Sequence, residues 1–219
     1  MRYIAHSVRS AAEVKQLPSW FGVHLEIRDR GSRLIVQPEP FQDGEDLESL
    51  LQQFDHSLLV VQVKSEGIAP HVLRVLELFN VQNYMLLGCS PSMRAALREQ
   101  DEKSALRVSD YEPAEWALAQ AGHAEWVWVE GLQRGPLARP LYADLKRRFK
   151  LCIASPETQG GAPASIADFA RQWHHLPVDA VCTKRPDLWQ AALSQLSAED
   201  AANDVADQES LLSLLRQAA

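Results

Sequence analysis

The chain has 219 residues, 46% of them hydrophobic and 23% charged, which excludes disordered, collagen-like and small disulfide-stapled proteins. The 22 Lys and Arg against 29 Asp and Glu leave a net charge of −7, which argues against general binding to a polyphosphate backbone, so no nucleic acid is expected as a partner. Cys89, Cys152 and Cys182 are scattered and make no close-spaced metal-binding pair. Together with the lack of a secretory signal and of any run of roughly 18 to 20 apolar residues, this predicts a cytoplasmic protein with reduced thiols and no membrane span.

Short apolar runs rich in β-branched and aromatic residues recur along the chain, with helical spacing between them. The predicted strands are Tyr3 to His6, Gly22 to Arg28, Ser57 to Lys64, Tyr84 to Gly88, Ala105 to Ser109, Glu125 to Glu130, Lys150 to Ser155 and Ala180 to Thr183. Arg33 to Gln37, reached through the turn Asp29-Arg30-Gly31-Ser32, reads as a hairpin added after the second strand. Helices are predicted over Ala69 to Phe79, Pro91 to Glu99 and Leu141 to Phe149, with another starting at Pro186-Asp187. Eight β-α units in this order predict an α/β protein, a compact (β/α)8 TIM-type barrel over residues 1–196; a doubly wound open sheet is the alternative. Neither common phosphate-cradling glycine loop is present to support that alternative. Residues 197–219 read as a C-terminal helix whose Leu211, Leu212, Leu214 and Leu215 either pack on the barrel exterior or make a homodimer contact.

In a (β/α)8 barrel, side chains at the C-terminal ends of the strands converge on one mouth. Alternation places His24, Glu26 and Arg28 on one face of the second strand and Gln62 and Lys64 on one face of the third. His6, Arg107, Trp128, Glu130, Ser155, Glu157 and Lys184 lie at the ends of other strands or just beyond them. So many ionisable groups around an apolar interior require pairing or a ligand, and Lys64, Arg107 and Lys184 suit a small phosphorylated or other anionic molecule. His24 and Glu26 could begin a divalent-metal site or form an internal hydrogen-bonded pair. The adjacent His174 and His175 read as a solvated loop or as metal ligands.

The pieces Tyr3-Ile4-Ala5-His6, Val23 to Asp29, Arg33 to Phe41, Gln62-Val63-Lys64 and Val181 to Asp187 occur in an order and spacing that resemble the glycerophosphodiester phosphodiesterase family, over Met1 to Leu196. The resemblance implies a (β/α)8 barrel that hydrolyses phosphodiesters with two histidines as acid and base and a divalent cation held by carboxylates. His6 matches the first catalytic histidine, although the Arg-Gly that usually follows is here Ser7-Val8. His24 and Glu26 stand where the family has a Glu-x-Asp metal pair, and the His-Asp of the second catalytic histidine falls on Pro38-Glu39. The carboxylate of a Glu-x-Lys falls on Gln62, with Lys64 retained.

Proline has no proton to give, so the general acid is either absent or replaced, with Glu39 or Glu130 able to stand in, and Gln62 removes a negative charge from a cation site. The cation implied is zinc, magnesium, manganese or calcium, with His24 favouring zinc. Two readings follow. One is a phosphodiesterase with an altered site, using His6 and Glu39 as catalytic residues, His24 and Glu26 as metal ligands, and Lys64, Arg107, Glu130, Lys184, Gln62 and Trp128 around the substrate. The other is a family member that binds a small anion without turnover.

Overall fold

In the computed structural model, which describes residues 1–97, 103–132 and 135–217 and the side chains of these up to Asn203, every predicted strand is present. They are β1 (Arg2–Ala5), β2 (Gly22–Arg30), β5 (Leu58–Val63), β6 (Tyr84–Leu87), β7 (Ala105–Val108), β8 (Trp126–Val129), β9 (Lys150–Ala154) and β10 (Ala180–Thr183). β3 (Arg33–Val36) folds back antiparallel on β2 as the expected hairpin, and β4 (Glu45–Asp46), a two-residue strand that no alternation announced, pairs with β3.

Parallel ladders run from β6 through β5, β2, β1, β10, β9 and β8 to β7, giving one strongly curled sheet. The expected closed barrel is met in part. Between β6 and β7 the sheet stays open, joined by a single parallel bridge from Leu86 to Ser104.

Alternation along the strands divides the apolar residues into an inner and an outer set. Ile4, Leu58, Val60, Met85, Leu87, Ala105, Trp126, Trp128, Cys152, Ala154, Ala180 and Cys182 form one cluster inside the curl. Their neighbours, such as Val23, Leu25, Leu59 and Val61, face outward against the helices. Gly22 marks how tightly the inside is filled: a Cβ there would meet Ile4 Cγ1 at 2.9 Å. Cys152 and Cys182 are free thiols within this cluster, and burial pushes both well above the ordinary thiol range, so neither supplies a thiolate at neutral pH.

The outer layer comprises α1 (Ala11–Gln16), α2 (Leu47–Leu51), α3 (Ala69–Leu78), α4 (Pro91–Leu97), α5 (Ala114–Ala119), α6 (Arg139–Lys146), α7 (Ser165–Trp173) and α8 (Pro186–Gln217). The predicted α3 face is the one buried, with Val72, Leu73, Val75 and Leu76 against the sheet. The predicted Pro91 to Glu99 helix is seen to Leu97, and its last two residues lie outside the described ones. The helix begun at Pro186 and the expected C-terminal helix are one element, because α8 crosses position 197 without a break. Leu211, Leu212, Leu214 and Leu215 lie beyond the described side chains. No helix among the described residues is long and apolar enough to cross a membrane.

Candidate functional site

The inner residues turn from apolar to polar at the C-terminal ends of the strands, since the residues two beyond Ile4, Val60, Trp128 and Cys182 are His6, Gln62, Glu130 and Lys184. The structure brings His6, His24, Glu26, Gln62, Lys64 and Trp128 together in one layer, and links Arg107 and Glu130 to it through Trp128.

An aromatic column fills the centre. The His6 ring stacks on His24 at 4.9 Å between centroids and 14° between planes, and His24 stacks on Trp128 at 5.8 Å and 28°. The Trp128 indole N–H donates to Glu130 Oε2 at 2.7 Å, and Arg107 Nε lies 3.0 Å from the other oxygen of the same carboxylate.

His24 is 1% exposed and both of its ring nitrogens are engaged. The Ser7 main-chain N–H donates to Nδ1 at 3.1 Å, so this atom is unprotonated and Nε2 carries the hydrogen, donated to Gln62 Oε1 at 3.0 Å. Burial, then the neighbouring His6, hold the His24 pKa far below the ordinary value. His6 is lowered to about 4, chiefly by burial and secondly by the Lys184 charge, with Glu26 and Glu157 opposing. Both imidazoles are therefore neutral at pH 7.

Ser7 governs this arrangement, and nothing in its residue type or spacing announced it. It stands two residues after β1 with φ 52°, a left-handed conformation that aims its N–H at His24, while its hydroxyl donates to Glu26 Oε2 at 2.8 Å. Glu26 Oε1 lies 3.2 Å from Lys64 Nζ. Burial alone would push the Glu26 carboxyl up; the Ser7 hydrogen bond, His24 and Lys64 outweigh it, and the pKa is lowered.

Around the rim, the Arg28 guanidinium donates to the carbonyls of Pro38 and Lys64, clamping the loop after β3 to the end of β5. Glu39, on that loop, is exposed, and its main-chain N–H bonds to Gln37 Oε1. Opposite lies a second network around the buried Glu157. Its carboxylate accepts from the Ser155 and Thr183 hydroxyls and from the Lys184 main-chain N–H at 3.0 Å, and the Trp189 indole donates to Ser155 Oγ at 2.8 Å. The Lys184 side chain is exposed, and neither it nor Arg28 has a carboxylate within ion-pair distance among the described residues.

Two solved structures share this architecture. A glycerophosphoryl diester phosphodiesterase from Parabacteroides distasonis matches with a TM-score of 0.61 at 12% identity, over 89% of this chain and 86% of that one. A glycerophosphodiester phosphodiesterase from Agrobacterium tumefaciens matches with a TM-score of 0.61 at 13% identity, over 86% of this chain and 99% of that one. The chain has the glycerophosphodiester phosphodiesterase fold. No family model matches it, and no curated protein matches it in sequence.

The phosphodiesterase fold raises the question of a cation at positions 24, 26 and 62. Hard divalent ions take clusters of oxygen ligands, mostly carboxylates. Here the set is one carboxylate already paired with Lys64, one imidazole with both nitrogens bonded, and one amide oxygen that accepts from that imidazole. A cation would have to displace a lysine and break two buried hydrogen bonds, so these residues as arranged do not fit it.

Proposed function

We propose that this chain is a phosphodiesterase-fold protein whose sheet closes as a barrel across β6 and β7, and whose mouth receives a small phosphorylated or otherwise anionic molecule without metal-dependent hydrolysis. The observation that carries this reading is the unbroken hydrogen-bond chain from the Ser7 N–H through His24 to Gln62, flanked by the Glu26–Lys64 ion pair. It occupies the donors a metal would need. Pro38, bonded through its carbonyl to Arg28, offers no proton to a leaving group.

The anionic ligand is inferred from Lys184 and Arg28, two cations at the strand ends that have no carboxylate partner among the described residues. Lys184 reaches solvent, and Arg28 keeps part of its five-donor fork beyond the bonds to carbonyls.

Two assays on the full-length protein test the reading. Calorimetric titration with inorganic phosphate and with glycerol phosphate is expected to show binding that Lys184→Ala weakens about tenfold, in line with loss of a charge-assisted contact. Bis-p-nitrophenyl phosphate with manganese, zinc, magnesium or calcium is expected to give no more product with the native protein than with His6→Ala. Metal-stimulated release that His6→Ala abolishes would overturn the proposal in favour of a phosphodiesterase with an altered site.

A further inference from the structure

We propose that the seam between α7 and α8 carries a site for a zinc-class divalent cation, held by His174, His175 and Asp200 and separate from the barrel mouth. The three side chains each offer one ligand atom, and these atoms all lie within 4.8 Å of one another. His174 is the C-terminal cap of α7, His175 is the next residue, and Asp200 comes from α8. Successive residues on a helix point about 100° apart, so two adjacent histidines converge only where the helix ends, as it does here. Their rings stand 4.9 Å apart at 54°.

One pair of ligand atoms is already brought together. His174 Nε2 lies 2.6 Å from Asp200 Oδ2, and the His174 side chain is only 16% exposed, so its ring is fixed by packing. A tetrahedral ion with bonds of about 2.0–2.1 Å sets its ligand atoms about 3.3 Å apart. The His174–Asp200 pair has to open by about 0.7 Å and His175 to approach by at most about 1.5 Å, movements open to the exposed Asp200 and His175 side chains. The cation would replace the hydrogen between Nε2 and Oδ2, leaving two neutral imidazoles, one carboxylate and a water as the fourth ligand.

The donor set selects the metal. Two nitrogens and one oxygen suit zinc, cobalt, nickel or copper and not the oxygen-seeking magnesium or calcium. Beside the site, Arg171 pairs with Glu199 at 2.6 Å and Gln195 donates to the same carboxylate, so the seam is already cross-linked one residue before Asp200. Occupancy would add a bond between the end of α7 and the long α8, fastening that helix just past Leu196, the last of its buried apolar residues among those described.

The test is a zinc titration of the full-length chain against a chromophoric chelator, followed by cobalt absorption. The native protein is expected to bind one zinc, to give the intense visible bands of tetrahedral cobalt, and to gain thermal stability with zinc but not with magnesium. His175→Ala and Asp200→Asn are each expected to weaken zinc at least about tenfold while keeping the far-ultraviolet dichroism of the native fold. The proposal is overturned by a native protein that binds no zinc, by zinc affinity unchanged in these two variants, or by zinc binding that Glu26→Gln removes and His175→Ala does not.

Discussion

His24 and Gln62 are held together by a hydrogen bond of 3.0 Å from Nε2 to Oε1, although the ladder between β2 and β5 sets His24 opposite Val60 and Glu26 opposite Gln62. The contact is a diagonal across two inward-facing rows, and it is made between neutral groups. A buried neutral pair with both partners satisfied costs little, whereas carboxylates at both positions beside Glu26 would repel one another unless a cation joined them. His24 and Gln62 thus both deny a hard cation its oxygen ligands and satisfy one another without it.

Carboxylates at these two positions should create a need for a cation. The double variant His24→Glu/Gln62→Glu is expected to lose at least about 2 kcal/mol in metal-free buffer, from like charges and from the lost stack on Trp128. Calcium or manganese should recover much of this. Thermal melts with and without calcium would show the recovery in the double variant and its absence in the native chain; equal responses would count against the reading of the mouth.

The two depressed imidazoles make stability depend on pH in a defined window. His6 falls from an ordinary 6.5 to about 4, and His24 is lowered further by burial, so between pH 6.5 and 4 the unfolded chain binds more protons than the folded one. Unfolding free energy accordingly decreases as pH falls through this window, by about 3 kcal/mol for His6 alone. The lowered pKa of Glu26 acts in a more acidic range, its contribution being lost as pH drops below the ordinary carboxylate value. Urea unfolding at pH 7, 6 and 5 should trace the decline, and His6→Asn should make it shallower, leaving the share that belongs to His24.

How far the sequence reached can be judged from individual residues. Alternation alone placed His24, Glu26, Gln62 and Lys64 on inner faces, because a period of two leaves a strand no choice once Val60 and Leu25 have taken their sides. It could not show that Lys64 turns to Glu26, or that Arg28 spends its charge on the carbonyls of Pro38 and Lys64, since rotamers and loop carbonyls carry no periodic signal. Ser7 stood out only as a departure from the Arg-Gly of the resembled family, because its hold on His24 lies in a backbone angle and its hold on Glu26 in a rotamer. Both β6 and β7 were legible as apolar runs, yet the opening between them depends on pairing that no single strand encodes.

Ser7 separates two effects that one substitution would merge. Ser7→Ala removes the hydroxyl bond to Glu26, keeps the N–H bond to His24, and keeps a side chain at φ 52°; a loss of about 1–2 kcal/mol is expected. Ser7→Gly removes the same hydroxyl but relieves the left-handed strain, recovering about 1 kcal/mol relative to alanine. Denaturant midpoints should therefore rank native, glycine, alanine. Alanine at or above glycine would mean that the backbone angle carries no strain.

Glu157 connects the rim to the aromatic column, and its replacement should be felt at both places. In Glu157→Gln one carboxylate oxygen becomes an NH2 group, which cannot accept from the Ser155 hydroxyl, the Thr183 hydroxyl or the Lys184 N–H. With the site buried, the orphaned donor costs about 1–3 kcal/mol. The Glu157 charge also raises the His6 pKa, against the larger lowering by burial and Lys184, so its removal should move His6 below its value of about 4. Chemical unfolding measures the first effect, and histidine ring resonances followed against pH measure the second. A His6 titration that stays in place while stability falls would confine Glu157 to the packing of Ser155 and Trp189 and remove it from the electrostatics of the mouth.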